Sequence, residues 1–517
     1  MTTEYDAIII GGGHNGLICG AYLARAGLRT LVVEARATAG GCASTVDALG
    51  ARVNICNCDH NVFRTTPIAE ELDLGRHGLR YLDVDPAQVN LSWARGPAWP
   101  MFHDIERTLE AIRLTYPLEV EGYRRYVRTA RPVVELVVEL ANRPPTPRRV
   151  LAQLGGRRGR GIATLLRWSR MTVVDVLRSF FAADELVAPA IVAGPAVWGL
   201  APSTPRTGLG AISYAMKHVG QVGRPRGGSG ALPLAVEAAF AAAGGVLRTG
   251  ERVTAIDCEG DAVRGVRLAD GTELTAPVVV AACDPRTALV EWLRDAPISA
   301  ASLRDRWLAA PAADGYESKL DAVVAAPPQY HQTDPQLVRR LGYDPLTATT
   351  IIAPPVDAVE AAHRLLGQGQ VAEQPMFYAN VPSALDPTMR AGDDHVFSLE
   401  VLYTPYALPG GWPASKEPER WFEQYATLVQ PGFLDGVRRW RAMTPDRYEA
   451  DFHLPRGHAT SFAGGPLAAL LGRQPELTRY ETPVRGLYLT GAATFPGAGV
   501  WGASGRNAAT VILHHRN

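Results

Sequence analysis

Three groups of residues in this chain have types and spacings that suit chemistry. The first is Gly11-Gly12-Gly13-His14-Asn15-Gly16, directly after Ile8-Ile9-Ile10, with Glu34 lying 23 positions beyond Gly11. Gly11 permits a tight turn, Gly13 lets backbone N–H groups approach a pyrophosphate, and Gly16 allows close helix packing. A carboxylate at Glu34 accepts hydrogen bonds from an adenosine ribose and repels a 2′-phosphate. The second group is the run from Asn54 to Phe63, "NICNCDHNVF". There His60 suits a general base oriented by Asp59, and a hydrogen-bonded core histidine is the alternative. Cys56 and Cys58 share a face if this stretch is a strand. No second pair completes a tetrahedral site, so no metal is expected and buried free thiols are the plain reading. The third is Lys319 in "YESKLDAVVAAPP", one of only three lysines with Lys217 and Lys416. A partly buried lysine can serve as a base, whereas one at a strand edge points to solvent.

Secondary structure must bring these groups together. Ala7–Ile10 reads as a buried parallel strand, Leu17–Ala26 as a helix ended by Gly27, and Thr30–Glu34 as the second strand. Strand, glycine loop, helix, strand and acid in this order make a dinucleotide-binding βαβ unit. A second glycine pair follows in "ATAGGCAST", at Gly40-Gly41 with Cys42, Ser44 and Thr45. Further on, a helix at 232–243 precedes short strands at 253–258, 262–268 and 273–275, with turns between them. A buried strand follows at 278–282. Near the end, Gly486–Thr490 reads as a strand and Ala503–Leu513 as a helix entered through a glycine-rich turn. The free N–H groups and partial positive charge of such a helix suit an electron-rich ligand edge.

At 517 residues, with 47% hydrophobic and 20% charged residues, the chain is long enough for two large domains. Zero net charge and the lack of a basic run argue against nucleic acid as a partner. No apolar run reaches the length of a membrane span, the N-terminus lacks a signal peptide pattern, and six cysteines make no disulfide framework. The cytoplasm is therefore the expected compartment. The stretch "RPPTPRRVLAQLGGRRGRG" at 143–161 is either a solvated loop or a surface for anionic lipid.

The second glycine turn, the helix–meander–strand return and the segment "RGLYLTGAATFPGAGVWGASGRNAATVIL" resemble the FAD enzymes of the flavin amine oxidase and carotenoid desaturase superfamily. Within it the chain resembles the phytoene desaturase-related family. "ACDPRTAL", "ANVPSALDPTM", "LYTPYALPGGW", "QPGFLDGV" and "LPRGHATSF" look like further stations of that family, in order. Phe495 and Ala498 stand where the family usually has a histidine and another glycine.

The resemblance implies an α/β fold: a Rossmann-type FAD-binding domain (GR2-like, discontinuous) with an inserted α+β substrate domain. Its FAD-binding parts are expected at 1–87, 216–299 and 441–517. The substrate domain is expected at 88–215, mostly helical, and at 300–440, with strands such as 320–325 and 350–353. The implied cofactor contacts are Gly11, Gly13, His14, Asn15, Gly16, Glu34, Ala35, Arg36, Gly40, Gly41, Cys42, Val253, Gly491, Ala492, Gly499, Val500 and Trp501. Trp501, and less so Trp198, suits an apolar channel, though tryptophans are more often core. Lys319 matches the strand whose lysine, in flavin amine oxidases, holds a water against the flavin; covalent attachment of flavin at Cys56 or Cys58 is a minor alternative.

The expected activity is dehydrogenation of a small organic substrate, apolar or a secondary metabolite, by hydride transfer to FAD. Oxygen or a quinone would be the electron acceptor, and peripheral membrane contact is compatible with composition. Two alternatives stay open: an amine or alcohol oxidase of a polar metabolite, and a binding protein that keeps the fold without turnover.

Overall fold

The glycine loop opens from a sheet of five short parallel strands. The computed structural model describes residues 4–56, 58–94, 96–144, 157–459 and 474–516. In it the sheet order is Leu487–Leu489, Val279–Ala281, Ala7–Ile10, Thr30–Glu34 and Val246–Thr249, every neighbouring pair being parallel. The central strands are wholly apolar because both of their faces are covered. Ala7 and Ile9 pack under the helices His14–Arg25, Ala231–Ala242 and Ala503–Arg516. Ile8 and Ile10 pack instead on a second sheet built from Val253–Glu259, Ala262–Leu268, Glu273–Thr275 and Leu293–Arg294. The first sheet draws its strands from three separate stretches of the chain, so the domain is discontinuous.

Small residues set the spacing between helices and sheet. A Cβ on Gly20 would lie 3.0 Å from Val32 Cγ2, and one on Gly245 would lie within 1.9 Å of the Phe240 ring. Arg506 in the last helix holds Glu71 through Nε at 2.6 Å and Nη2 at 2.7 Å, which fixes that helix across the others.

The inserted half is organised by a seven-stranded mixed sheet. Its order is Val437–Met443, Glu317–Val324, His395–Leu402, Phe377–Asn380, Thr350–Ala353, Gln88–Ser92 and Trp99–Met101. Period-two alternation gives this sheet two unlike faces. Leu320, Ala322, Val324, Phe397, Leu399 and Val401 form one, packed on Trp421, Phe422 and Tyr425 of the helix Glu417–Ala426. Paired across the strands on the opposite face are Lys319, Glu400 and Tyr378, then Asp321, Ser398 and Asn380. A helical layer, including Val120–Ala141, Asp184–Val192 and Ser213–Val219, closes one end around Tyr123, Tyr126 and Tyr214.

Four features depart from the sequence-based expectations. The insert expected to be mostly helical contributes two strands, Gln88–Ser92 and Trp99–Met101, because Val89 and Leu91 are needed in the sheet's apolar core. The helix Ala301–Ala309 packs through Leu303 on the meander, so the chain leaves the cofactor-binding half after residue 300. At the other boundary, residue 440 falls inside the strand Val437–Met443. The strand expected at 320–325 begins earlier, at Glu317. The basic stretch at 143–161 lies largely outside the described residues. Among the described residues no helix is long and apolar enough to cross a membrane.

Candidate active site

At the cofactor end the helix His14–Arg25 begins at Gly13, and no side chain caps it. Gly11 is left-handed at φ +104°, and a Cβ on Gly16 would lie 2.1 Å from the Gly11 carbonyl oxygen. A Cβ on Gly13 would meet nothing within 4 Å, so open space faces the first turn. Glu34 is pinned at the end of its strand: Oε2 accepts from the Gly12 N–H at 2.7 Å and Oε1 from the Arg36 N–H at 2.8 Å. Gly40, at φ +116°, donates its N–H to the Gly12 carbonyl at 2.8 Å, which joins the two glycine turns. Gly250 and Glu251 donate to the carbonyls of Arg36 and Glu34 at 2.8 and 3.0 Å, which brings the backbone before Val253 to Glu34.

The last glycine turn meets the first. Gly491 N–H donates to Ser504 Oγ at 3.1 Å, and Gly505 N–H donates to Asn15 Oδ1 at 3.4 Å. Gly499 and Val500 both have positive φ, at 104° and 55°. His14 is kept neutral, with burial pulling its pKa down to about 4. These residues fit an FAD. Space is open above an uncapped helix N-terminus, a carboxylate stands where the ribose belongs, and Arg36 Nη1 is buried with no hydrogen-bond partner. Adenosine would lie by Glu34, Ala35 and Val253, the pyrophosphate by Gly13 to Gly16, and the flavin by the turns at Gly40–Cys42 and Gly491–Trp501.

The polar face of the seven-stranded sheet turns toward the run after Asn54. Lys319 is 3% exposed, on a strand flanked on both sides, so it is no edge residue. Its Nζ donates to the Asn54 carbonyl at 2.7 Å and pairs with Asp321. Asp321 also accepts from Arg441 Nη2 at 3.0 Å and Ser398 Oγ at 2.9 Å.

The expected Asp59–His60 couple is not formed. Asp59 takes Arg224 Nε at 2.5 Å and Thr349 Oγ1 at 2.6 Å. His60 is fully buried and hydrogen-bonded through Nδ1 to Tyr81 OH and through Nε2 to Ser229 Oγ, both at 2.7 Å. Its ring is therefore oriented by Tyr81 and Ser229. The reason is local: an arginine that must be buried outcompetes a neutral imidazole for that carboxylate.

Burial pulls His60 down to about 3, so it is neutral at pH 7. A depressed histidine contributes stability that is fully present above its ordinary 6.5 and is lost as pH falls toward about 3. The melting temperature is expected to fall with acid over that window, and to fall less steeply in His60→Gln. Equal slopes would show that His60 has no part in it.

Cys56 and Cys58 do not share a face, because the strand ends at Asn54. Cys58 Sγ donates to Asn380 Oδ1 at 3.3 Å, whereas Cys56 is hydrogen-bonded to Cys42. Among the described residues no group of three or more His, Cys, Asp or Glu makes a metal site.

Sequence reasoning missed Glu317 and Glu400. Register places Glu400 opposite Lys319 and Glu317 one diagonal step away on the same face, and their carboxyls are hydrogen-bonded to each other. Both are half-buried. Burial, then the Glu400 charge, pushes Glu317 well above the usual carboxylate range. Burial raises Glu400 to about 7, against the opposing pull of Lys319 and of the bond from Glu317. Alternation in "YESKLD" puts Glu317 beside Lys319 and was visible in sequence, but Glu400 emerges only from strand register.

An apolar wall stands beyond. Phe495 and Trp501 pack with Val62 and with Val133, Leu136, Val137 and Leu140 of the helix Val120–Ala141. The run 54–62 thus touches both walls, the carbonyl of Asn54 at Lys319 and Val62 at Trp501. Trp198 is 44% exposed and lies outside this cluster.

Residues 16–314 match the family model described as flavin containing amine oxidoreductase. Over 99% of its length the chain is 28% identical to the mouse pyridine nucleotide-disulfide oxidoreductase domain-containing protein 2, covering 94% of that protein. It is 26% identical to a limonene dehydrogenase polypeptide of Castellaniella defragrans over 98% of the chain and 94% of the relative. It is 24% identical to the lycopene-forming phytoene desaturase of a Paracoccus species over 98% and 96%. Among solved structures, putrescine oxidase bound to putrescine superposes with a TM-score of 0.64 at 15% identity, covering 99% of both chains, which shows the shared fold. With over half of its length inside the family match, and with both glycine turns, Glu34 and the last helix converging on one cofactor site, this FAD-dependent oxidoreductase belongs to the flavin containing amine oxidoreductase family.

Proposed function

We propose that the protein dehydrogenates a secondary metabolite with a largely apolar body, held between the polar face of the seven-stranded sheet and the cofactor. The hydrogen-bonded pair Glu317–Glu400 carries this reading. Dehydrogenation removes a hydride and a proton, and the proton needs an acceptor whose pKa lies near the working pH. FAD, when bound, supplies the two-electron acceptor at N5, and oxygen or a quinone then takes the electrons on. Glu400 as carboxylate takes the proton, while Glu317 keeps its own and donates a hydrogen bond that holds Glu400 in place. Lys319, tied to Asp321 and the Asn54 carbonyl, positions the run 54–62 rather than acting as a base. Phe495, Trp501 and Val62 exclude water from the substrate's apolar body. Relatives named for limonene and phytoene support an apolar substrate.

A second reading, oxidation of an amine or alcohol, is favoured by charge. The polar face sets Glu317, Glu400 and Asp321 against Lys319 and Arg441. One shared proton makes that layer neutral, and loss of it leaves a negative charge that suits a cationic substrate.

The test is anaerobic bleaching of the flavin's visible absorbance by two panels, one of polyenes and terpenoid alkenes, the other of amines and secondary alcohols. Bleaching by the first alone supports desaturation, and by the second alone the oxidase reading. With whichever substrate bleaches the flavin, the reduction rate is expected to rise as pH climbs through about 7, where Glu400 ionises. In Glu400→Gln that inflection is expected to vanish and the rate to fall by roughly 10²–10⁴. An unchanged pH profile in the variant would remove Glu400 from the mechanism. A substrate-free check uses the sign of linkage. A carboxyl raised in the folded state contributes stability present below its ordinary pKa and lost as pH rises through about 7. Wild-type protein should therefore lose more melting temperature than Glu400→Gln between mildly acidic and mildly alkaline buffer.

A further inference from the structure

The second glycine turn, which would lie beside the flavin, brings together two thiols to which the proposed reaction assigns no step. Gly41–Ala43 forms a single helical turn that leads into the hairpin Thr45–Ala48/Ala51–Asn54. Thr45 pairs with Asn54, and Ile55 N–H donates to the Ser44 carbonyl at 3.0 Å, so the pairing continues past the strand ends. Cys42 and Cys56 lie just beyond it on opposite arms, within hydrogen-bonding reach of each other, and both are partly exposed. All six cysteines are free, and the others differ in setting: Cys19 and Cys258 are buried, Cys58 is buried and held by Asn380, and Cys283, though partly exposed, has its thiol pushed up by burial.

We propose that Cys42 and Cys56 are a modification site, a thiol pair that a peroxide converts to a reversible disulfide. The pair is asymmetric in the way such chemistry needs. The bond from Cys56, helped by the Arg36 charge, lowers the Cys42 pKa against the opposing effect of burial. The same bond and burial raise Cys56. Cys42 thus loses its proton more readily than Cys56 and is the attacking thiol, with Cys56 its partner.

The Cys42 thiolate attacks one peroxide oxygen, the O–O bond breaks, and the leaving hydroxide is protonated to water, leaving a sulfenic acid. Cys56 then attacks that sulfur, losing its proton, and a second water leaves as the S–S bond forms. The two sulfurs give up two electrons in all and the peroxide becomes two waters. A small dithiol reverses the step by exchange. The crosslink ties the turn bearing Gly40, which is bonded to Gly12, to the start of the run that reaches the active site. The inference goes beyond the proposed reaction and does not depend on which substrate is oxidised.

The test is peroxide treatment of the full-length, FAD-loaded protein, then alkylation, digestion and mass spectrometry. The expected result is a Cys42–Cys56 linked peptide that dithiothreitol removes. In Cys56→Ala, Cys42 should instead progress to sulfinic acid. Before any oxidation, iodoacetamide should label wild-type Cys42 about tenfold faster than Cys58. Free Cys42 and Cys56 after peroxide, or equal labelling of Cys42 and Cys58, would overturn the proposal even if the variant fails to fold.

Discussion

Gly16→Ala is expected to yield protein with roughly a tenth or less of the wild-type FAD content, because that position fixes helix, loop and strand together. The added Cβ would sit 2.1 Å from the Gly11 carbonyl oxygen and 3.1 Å from Ala282 Cβ. Neither neighbour can yield: Gly11 N–H is bonded to the Val33 carbonyl at 2.8 Å, and Ala282 N–H to the Ile10 carbonyl at 2.8 Å. The helix must tilt away from the sheet, and its uncapped N-terminus then no longer points into the open space above Gly13. Gly13→Ala separates folding from binding. Its Cβ meets no protein atom within 4 Å and its φ is −65°, so the variant should melt like wild type, yet the methyl enters the cofactor's space. The bound-flavin ratio and the melting temperature of both variants decide this. Full FAD in Gly16→Ala would show that the loop does not hold the pyrophosphate.

Arg224→Met is expected to destabilise the protein by about 3–5 kcal/mol, the cost of leaving a buried charge without its partner. Arg224 and Asp59 are each 3% exposed and 2.5 Å apart, and Thr349 supplies another contact to the carboxylate. With the guanidinium gone, Asp59 must either stay charged in an apolar setting or take up a proton. Arg224→Met/Asp59→Leu removes both charges and is expected to recover much of the loss, so the two changes should be strongly non-additive. Thermal melting of the single and double variants at neutral pH checks this. A single variant that melts within about 2 °C of wild type would mean the pair is solvated in solution. The same variant bears on function, since Asp59 adjoins His60 in the run that touches both walls of the active site.

The cofactor half was legible because its signals are local. Apolar strands, a glycine string, an acid at fixed spacing and a helix after Gly502 each follow from a few adjacent residues. The expected strand ends there agree with the structure to within about two residues, as end effects allow. The polar face of the seven-stranded sheet was less legible because its contacts join distant strands. Asp59 next to His60 in sequence suggested a couple, yet Arg224 lies 165 positions away and takes the carboxylate. Lys319 stood out by rarity, whereas its partner across the sheet, Glu400, is one of many glutamates until register places it. Cys56 and Cys58 would share a face only in a strand, and the strand ends at Asn54, so they meet different partners. The insert boundaries slipped for the same reason: Val89 and Leu91 join a sheet in which five of the other strands begin more than two hundred residues later.

The unlike faces of the seven-stranded sheet separate what can change from what cannot. Along Glu317–Val324 the odd positions 317, 319 and 321 lie on the polar face, and the even positions 320, 322 and 324 hold the helix Glu417–Ala426. A point substitution at half-buried Glu317 alters that polar face and leaves the apolar packing intact, whereas one at Lys319 or Asp321 breaks a buried ion pair. Deletion of one residue would exchange the two sets, burying carboxylates in the core and pointing leucine at the cofactor. A replacement on one parity of the strand therefore changes one face alone, while an insertion or deletion there disturbs both faces at once.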